Sequence, residues 1–192
     1  MRESEALLCP VREGEAENEK KRILFVCTGN TCRSPMAAAL FNHIYMDDER
    51  YALSAGLAAD GSPISEHACE VLMERGVLPT KENDYPNHVS RPADGALAAS
   101  ADMIIGLTAS HATALMLRYP EFATKIYALP ADIPDPYGGS IDDYRRCLEK
   151  IEKALSEVFS PVKGSDNTDS FESTDCSDGT DSTDSSGEHG QK

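Results

Sequence analysis

Cys27-Thr28-Gly29-Asn30-Thr31-Cys32-Arg33-Ser34-Pro35 sets a thiol and an arginine on either side of five residues, straight after the apolar run Ile23-Leu24-Phe25-Val26. Each residue type meets a separate demand of phosphoryl transfer. A thiolate is a strong nucleophile toward phosphorus, and the field that attracts phosphate also stabilises it. A guanidinium can hold two phosphate oxygens at once and keep them as charge spreads in the transition state. Gly29 and Asn30 tolerate the positive φ that a loop curling around an anion needs. Pro35 suits a first helical turn and Ser34 is a candidate N-cap. Loop N–H groups and the positive end of a helix would then converge on one point. The expected phosphate-binding residues are Thr28, Gly29, Asn30, Thr31, Cys32, Arg33 and Ser34, with Cys27 as nucleophile. A cysteine and an arginine at this spacing alone would read equally as a buried thiol and a surface charge; the glycine, asparagine, serine and proline decide for the cradle. A nucleotide-binding loop of the Walker type is excluded, because no Gly-Lys-Ser/Thr ending follows.

The elements that must position this loop can be read from periodicity. Ile23–Val26 is a short buried strand. Pro35 to Asp47 predicts a helix with Met36, Ala37, Leu40 and Ile44 on one side. Tyr51–Ser54 is a second strand, broken by Gly56, and Ser65 to Arg75 a second helix, closed by Gly76. Ala101 to Leu107 is a third strand, followed by a helix from Ser110 to Tyr119 that Pro120 ends. Lys125–Leu129 is a last strand, and Ile141 to Phe159 a long amphipathic helix. Strands alternating with helices mean an α/β fold with a parallel sheet and right-handed crossovers. In such sheets ligands gather at the carboxyl ends of the strands, where Cys27 lies.

Composition bounds the rest. The 192 residues divide into a charged extension (1–21), a central part (22–163) long enough for one core, and a tail (164–192) rich in Ser, Thr, Asp and Gly. The tail has eight acidic residues against one lysine, about half of the net charge of −15. It cannot bury enough surface to offset its ordering entropy, so disorder is expected there, with a solubilising role. Strong acidity argues against nucleic-acid binding through the general field, so phosphate attraction must be local. No apolar stretch reaches membrane-spanning length and no hydrophobic signal core follows Met1, so the cytoplasm is the expected location. A monomer is expected, without cofactor or metal. The six cysteines are scattered. Cys27 and Cys32 share one tight loop, where a reversible disulfide and simple packing of Cys32 are both open.

A thiolate attacking a phosphorylated residue needs an acid to protonate the leaving group. Asp135-Pro136-Tyr137-Gly138-Gly139 follows the last strand, at the same end of the sheet as Cys27. Pro134 and Pro136 stiffen the backbone around Asp135. Asp132 is the competing carboxylate.

Together these residues resemble the low-molecular-weight protein tyrosine phosphatase family, over about Arg22 to Phe159. The resemblance implies a doubly wound four-stranded parallel sheet with helices on both faces. It also implies a metal-free, two-step mechanism in which Cys27 forms a phosphocysteine. Asp135 would protonate the leaving group and then activate the hydrolytic water. Ser34 matches the serine that hydrogen-bonds the nucleophile. Asn30, Ser54 and His88 match the network that holds the loop, whereas His43, His67 and His111 gain no role.

Two features bear on substrate. Position 31 is threonine where tyrosine-directed members carry an aliphatic residue. The threonine form, with Asp-Pro-aromatic-Gly-Gly-Ser-Ile-Asp downstream, resembles the bacterial protein-arginine phosphatase branch. A hydroxyl at the rim can contact guanidinium N–H groups, which an aliphatic side chain cannot. In addition, Gly56-Leu57-Ala58-Ala59-Asp60-Gly61 offers no aromatic ring to stack a phenol, leaving Tyr137 as the one aromatic wall. The expected activity is hydrolysis of phosphorylated arginine in proteins, with phosphotyrosine as the alternative. Arsenate reduction on the same cradle is a weaker alternative, because it needs two further nearby cysteines and Cys69 and Cys147 stand apart. The segment from Leu129 to Asp135 is short for the family, which makes the reach of Asp135 a point for the structure to decide.

Overall fold

The computed structural model describes residues 20–47 and 49–160; the expectations for the tail and for most of the N-terminal extension lie outside them. Four strands, β1 (Lys21–Cys27), β2 (Arg50–Gly56), β3 (Met103–Gly106) and β4 (Ile126–Ala128), form one sheet in the order β2-β1-β3-β4. All three pairings are parallel. Lys21, assigned to the extension by composition, already pairs with Arg50 in β1.

Residues Ile23 to Cys27 of β1 are all buried, as expected for a central parallel strand covered on both faces. One face packs under α1 (Arg33–Ile44), α2 (Glu66–Glu74) and α5 (Ile141–Phe159), around Phe25, Phe41, Leu72 and Ile151. The other packs under α3 (Gly95–Ser100) and α4 (Ala109–Arg118), around Leu24, Val26, Ile104 and Leu115. Burying each of these large side chains stabilises the fold by about 1.5–3 kcal/mol. The sheet is thus doubly wound, and the chain reverses direction across it at β1, with β2 on one side and β3 on the other. That reversal opens a crevice at the carboxyl ends of β1 and β3, and Cys27 is the last residue of β1.

α1 differs from the one-sided helix that periodicity suggests. Everything from Arg33 to Phe41 is buried, because sheet, α2 and α5 enclose it, while Ile44 is 45% exposed. Its last turn is held by aromatic contacts, Phe41 to Phe159 of α5 at 4.9 Å and Tyr45 to Phe159 at 6.0 Å between centroids. The start of α1, which carries Arg33 and Ser34, therefore rests on a rigid body. α3 has no apolar stripe of helical period to reveal it. Its legible signal is Asp94, whose carboxylate accepts from Leu97 N at 2.8 Å as an N-cap. Among the described residues no helix is long and apolar enough to cross a membrane.

Candidate active site

The strand-to-helix junction is held at every turn. Cys27 O accepts from Leu57 N and Thr28 O from Ala58 N, both at 2.9 Å, so the loop after β2 continues the ladder past the end of the sheet. Thr31 O accepts from Ser65 N at 2.9 Å at the entry to α2. Asn30 alone among the described non-glycine residues takes a positive φ, 58°, so the left-handed turn falls on the asparagine and not on Gly29. Gly56 is needed for a different reason. A Cβ there would meet Thr28 O at 2.7 Å and Asn30 N at 3.0 Å, so the loop could not close against β2.

Asn30 is wholly buried and spends its side chain on the loop. Its Nδ2 donates to Ser34 Oγ and to Ser54 Oγ, each at 2.9 Å, and its Oδ1 accepts from Arg91 N at 3.0 Å. Its carbonyl accepts from His88 Nε2 at 3.0 Å. That contact requires Nε2 to carry a proton, and burial pushes the His88 pKa down, which favours the neutral ring. Asn30 N points at Cys27 Sγ from 3.3 Å. Ser54, Asn30, Ser34 and His88 therefore meet around one loop, as the resemblance implies.

Ser34 does not cap α1; the helix starts at Arg33 with Cys32 in the N-cap position. The Ser34 hydroxyl lies inside the first turn, 3.0 Å from Cys27 Sγ and 3.2 Å from Ala55 O. Its single proton has two acceptors in reach, and a thiolate is the stronger. Cys32 is turned away from Cys27, its sulfur 3.2 Å from the hydroxyl of Tyr144 in α5. Burial pushes the Tyr144 phenol up to about 12, and it also accepts from Ser65 Oγ at 3.0 Å. The Cys27 and Cys32 sulfurs are both free thiols here.

Arg33 projects back toward the loop. Its Nη1 donates to Ile133 O at 3.3 Å and its Nη2 to Asp135 Oδ2 at 2.6 Å. The short link from Leu129 to Asp135 is long enough, because it is stapled to the end of β3: Leu129 N donates to Gly106 O and Ile133 N to Leu107 O. Asp135 thus arrives at the cradle, and its second oxygen accepts from Tyr137 N at 3.2 Å. Gly138 then takes φ 74°, turning the chain into α5. Asp132 points elsewhere and accepts from Ala109 N at the start of α4.

The cleft above the loop, about 510 Å³, is lined by Cys27, Arg33 and Asp135 at its base and Tyr137 on one wall. Ala58, Pro63 and Ile64 also line it, with the exposed carboxylates Asp60 and Glu66. Thr31 lies at this rim, and among the described residues the one polar neighbour of its hydroxyl is Cys32 Sγ at 3.6 Å. Cys147, on the buried face of α5, has its thiol pushed up to about 12 by burial, and burial also raises the Cys69 thiol; neither lines this cleft.

One histidine that gains no role from the sequence touches the loop. His111, on α4, reaches Thr28 Oγ1 with Nε2 at 3.0 Å. No local pattern marks it; only the packing of α4 against the end of β3 brings it to the loop.

A phosphate cradle with a sulfur at its base, an arginine inside it and a carboxylate over it is the geometry of thiol-based phosphoryl transfer. Comparison with known proteins agrees. Residues 22–167 match the model of the family described as low molecular weight phosphotyrosine protein phosphatase. A protein-arginine-phosphatase of Bacillus subtilis is 36% identical over 154 residues, 73% of this chain and 96% of that protein. The low molecular weight protein-tyrosine-phosphatase PtpB of Staphylococcus haemolyticus is 38% identical over 138 residues, 68% of this chain and 91% of that one. Among solved structures, the YwlE arginine phosphatase from Geobacillus stearothermophilus superposes with a TM-score of 0.65 at 36% identity, covering 72% of this chain and 90% of that one.

Proposed function

We propose a function from one premise: the chain belongs to the low molecular weight phosphotyrosine protein phosphatase family. It is a protein phosphatase, and within that activity our reading is hydrolysis of phosphorylated arginine through a phosphocysteine.

Cys27 Sγ attacks phosphorus in line with the leaving group, while loop N–H groups and Arg33 hold the three equatorial oxygens. As the N–P bond breaks, Asp135 delivers its proton to the departing guanidine nitrogen. The S–P bond of the phosphocysteine is then cleaved by water that gives its proton to Asp135, releasing inorganic phosphate. Ser34, 3.0 Å from the sulfur, stabilises the thiolate as it leaves in this second step.

The observation that carries arginine is the charge of the cleft. Asp60, Glu66 and Asp135 line it, and the product guanidinium is a cation at any physiological pH. An arginine leaving group departs as a cation that these carboxylates attract, whereas a protonated phenol departs neutral. The Thr31 hydroxyl at the rim and the likeness to two arginine phosphatases point the same way. Phosphotyrosine is the second reading, favoured by the exposed Tyr137 ring on one wall and by the identity to PtpB. We place the protein in the cytoplasm as a monomer acting on phosphorylated proteins, with no nucleic-acid partner.

The deciding experiment is kcat/KM for the purified chain on a phosphoarginine protein and a phosphotyrosine peptide, measured side by side. A large preference for phosphoarginine is expected. A preference for phosphotyrosine would leave cradle, thiolate and acid standing and would overturn the substrate.

A further inference from the structure

His111 is 6% exposed and uses both ring nitrogens. Nδ1 lies 2.7 Å from Thr108 Oγ1 and Nε2 lies 3.0 Å from Thr28 Oγ1. Thr108 is the N-cap of α4 and its oxygen also accepts from His111 N at 3.2 Å, with Ser110 Oγ 2.8 Å away. At the other end, Thr28 Oγ1 accepts from Arg33 Nη2 at 3.5 Å. A line of polar contacts therefore runs from the cap of α4 through a buried imidazole to the first residue of the loop after the nucleophile, and on to the guanidinium.

Such a ring could be no more than a satisfied helix cap. Two observations argue otherwise. A cap needs only the Thr108 oxygen, which already takes the His111 amide. And the far nitrogen ends on an exposed threonine of the cradle, not on a buried orphan in need of a partner. Burial and the Arg33 charge both push the ring's pKa down, so it works as a neutral group with one donor and one acceptor. Both neutral tautomers place one hydrogen bond on each threonine.

We propose that His111 is a positioning residue for phosphoryl transfer: through Thr28 it fixes the guanidinium of Arg33 in the orientation that the transition state requires. Thr28 is mounted on a loop whose strand-side carbonyls are already held, so its side-chain rotamer is the remaining freedom, and His111 removes it. Arg33 gains a fixed acceptor beside Asp135. The inference rests on the phosphatase reading but not on the choice of leaving group.

The test uses the full chain with p-nitrophenyl phosphate, and compares inhibition by vanadate, which mimics the five-coordinate transition state, with inhibition by inorganic phosphate. His111→Ala and Thr28→Val should each lower kcat by about tenfold to a hundredfold with smaller changes in KM, the scale of a misplaced catalytic group. Both should weaken vanadate about tenfold more than phosphate, since the lost orientation matters in the transition state. His111→Gln, whose amide reaches the Nε2 position, should recover most of the rate. The double variant should fall no further than Thr28→Val alone, within about twofold. A His111→Ala protein that unfolds more easily but keeps kcat and the vanadate-to-phosphate ratio would reduce the residue to a cap and overturn the inference. Additive losses in the double variant would overturn it too. If the wild-type chain itself fails to turn over the substrate, the phosphatase reading falls first.

Discussion

The two halves of the cleft are built by opposite rules. The phosphate half is tied from every side: Asn30 and Ser34 are wholly buried, and each polar atom of their side chains is spoken for. The leaving-group half is sparse and wet. Tyr137 is 78% exposed and the Asp135 side chain 51% exposed, and the cleft is also lined by Ala58, Pro63 and the solvated carboxylates Asp60 and Glu66. The difference follows from what each half must do. Charge develops on phosphoryl oxygens at fixed positions, so preorganised donors act most strongly there. A leaving group on a protein side chain arrives with its own backbone and must be admitted from solvent.

The contrast makes ordered predictions. Cys27→Ser should abolish turnover while leaving phosphate binding, because the cradle keeps its shape without the sulfur; calorimetry with phosphate beside a turnover assay checks both, and retained turnover would remove the mechanism. Next in size, Asp135→Ala should lower kcat by about 10²–10⁴-fold, the usual scale for a general acid. Asp132→Ala serves as its comparison. It removes the acceptor for Ala109 N, so it should cost about 0.5–2 kcal/mol of stability and little rate. If the two rate effects are reversed, the acid is misassigned.

A change confined to the rim should act on selectivity and spare the chemistry. Thr31→Ile is expected to move the ratio of kcat/KM from phosphoarginine toward phosphotyrosine while vanadate inhibition stays within a few-fold. An unchanged ratio would remove Thr31 as the filter and leave the carboxylates to explain selectivity.

The smallest effect is on stability. His88 and His111 flank the cradle, and burial lowers both pKa values from 6.5. A lowered histidine pKa means that the unfolded chain binds protons more readily than the fold. Both rings therefore stabilise the fold fully above about pH 6.5, and that contribution is lost as pH falls below it toward the folded values. Urea unfolding from pH 8 to pH 5 should show a decline in this window that shrinks in His111→Gln.

The same division marks what could be read in advance. Cys27, Arg33 and the residues between them were legible because glycine, asparagine and proline have conformational preferences that act locally, and the sequence is enough to state them. The alternation of strands and helices was legible for the same reason, down to α5, whose predicted bounds Ile141–Phe159 coincide with the observed ones. α3 escaped because its six residues, small but for Leu97, carry no period. Ser34 was placed in the right loop, as a cap by chain position and beside the nucleophile by the resemblance, since chain position cannot tell a hydroxyl facing the helix end from one facing a sulfur.

By itself, then, the sequence determined which residues make the cradle and the class of sheet, both of which rest on neighbours along the chain. Only the tertiary structure decided which carboxylate reaches Arg33, that His88 meets the carbonyl of Asn30, and that His111 stands behind Thr28. These depend on how far a link stretches and on how α4 seats on the sheet, which brings His111 to a threonine 83 residues away in the chain. Such distances are set by core packing summed over the whole domain, and no short window of residues contains them.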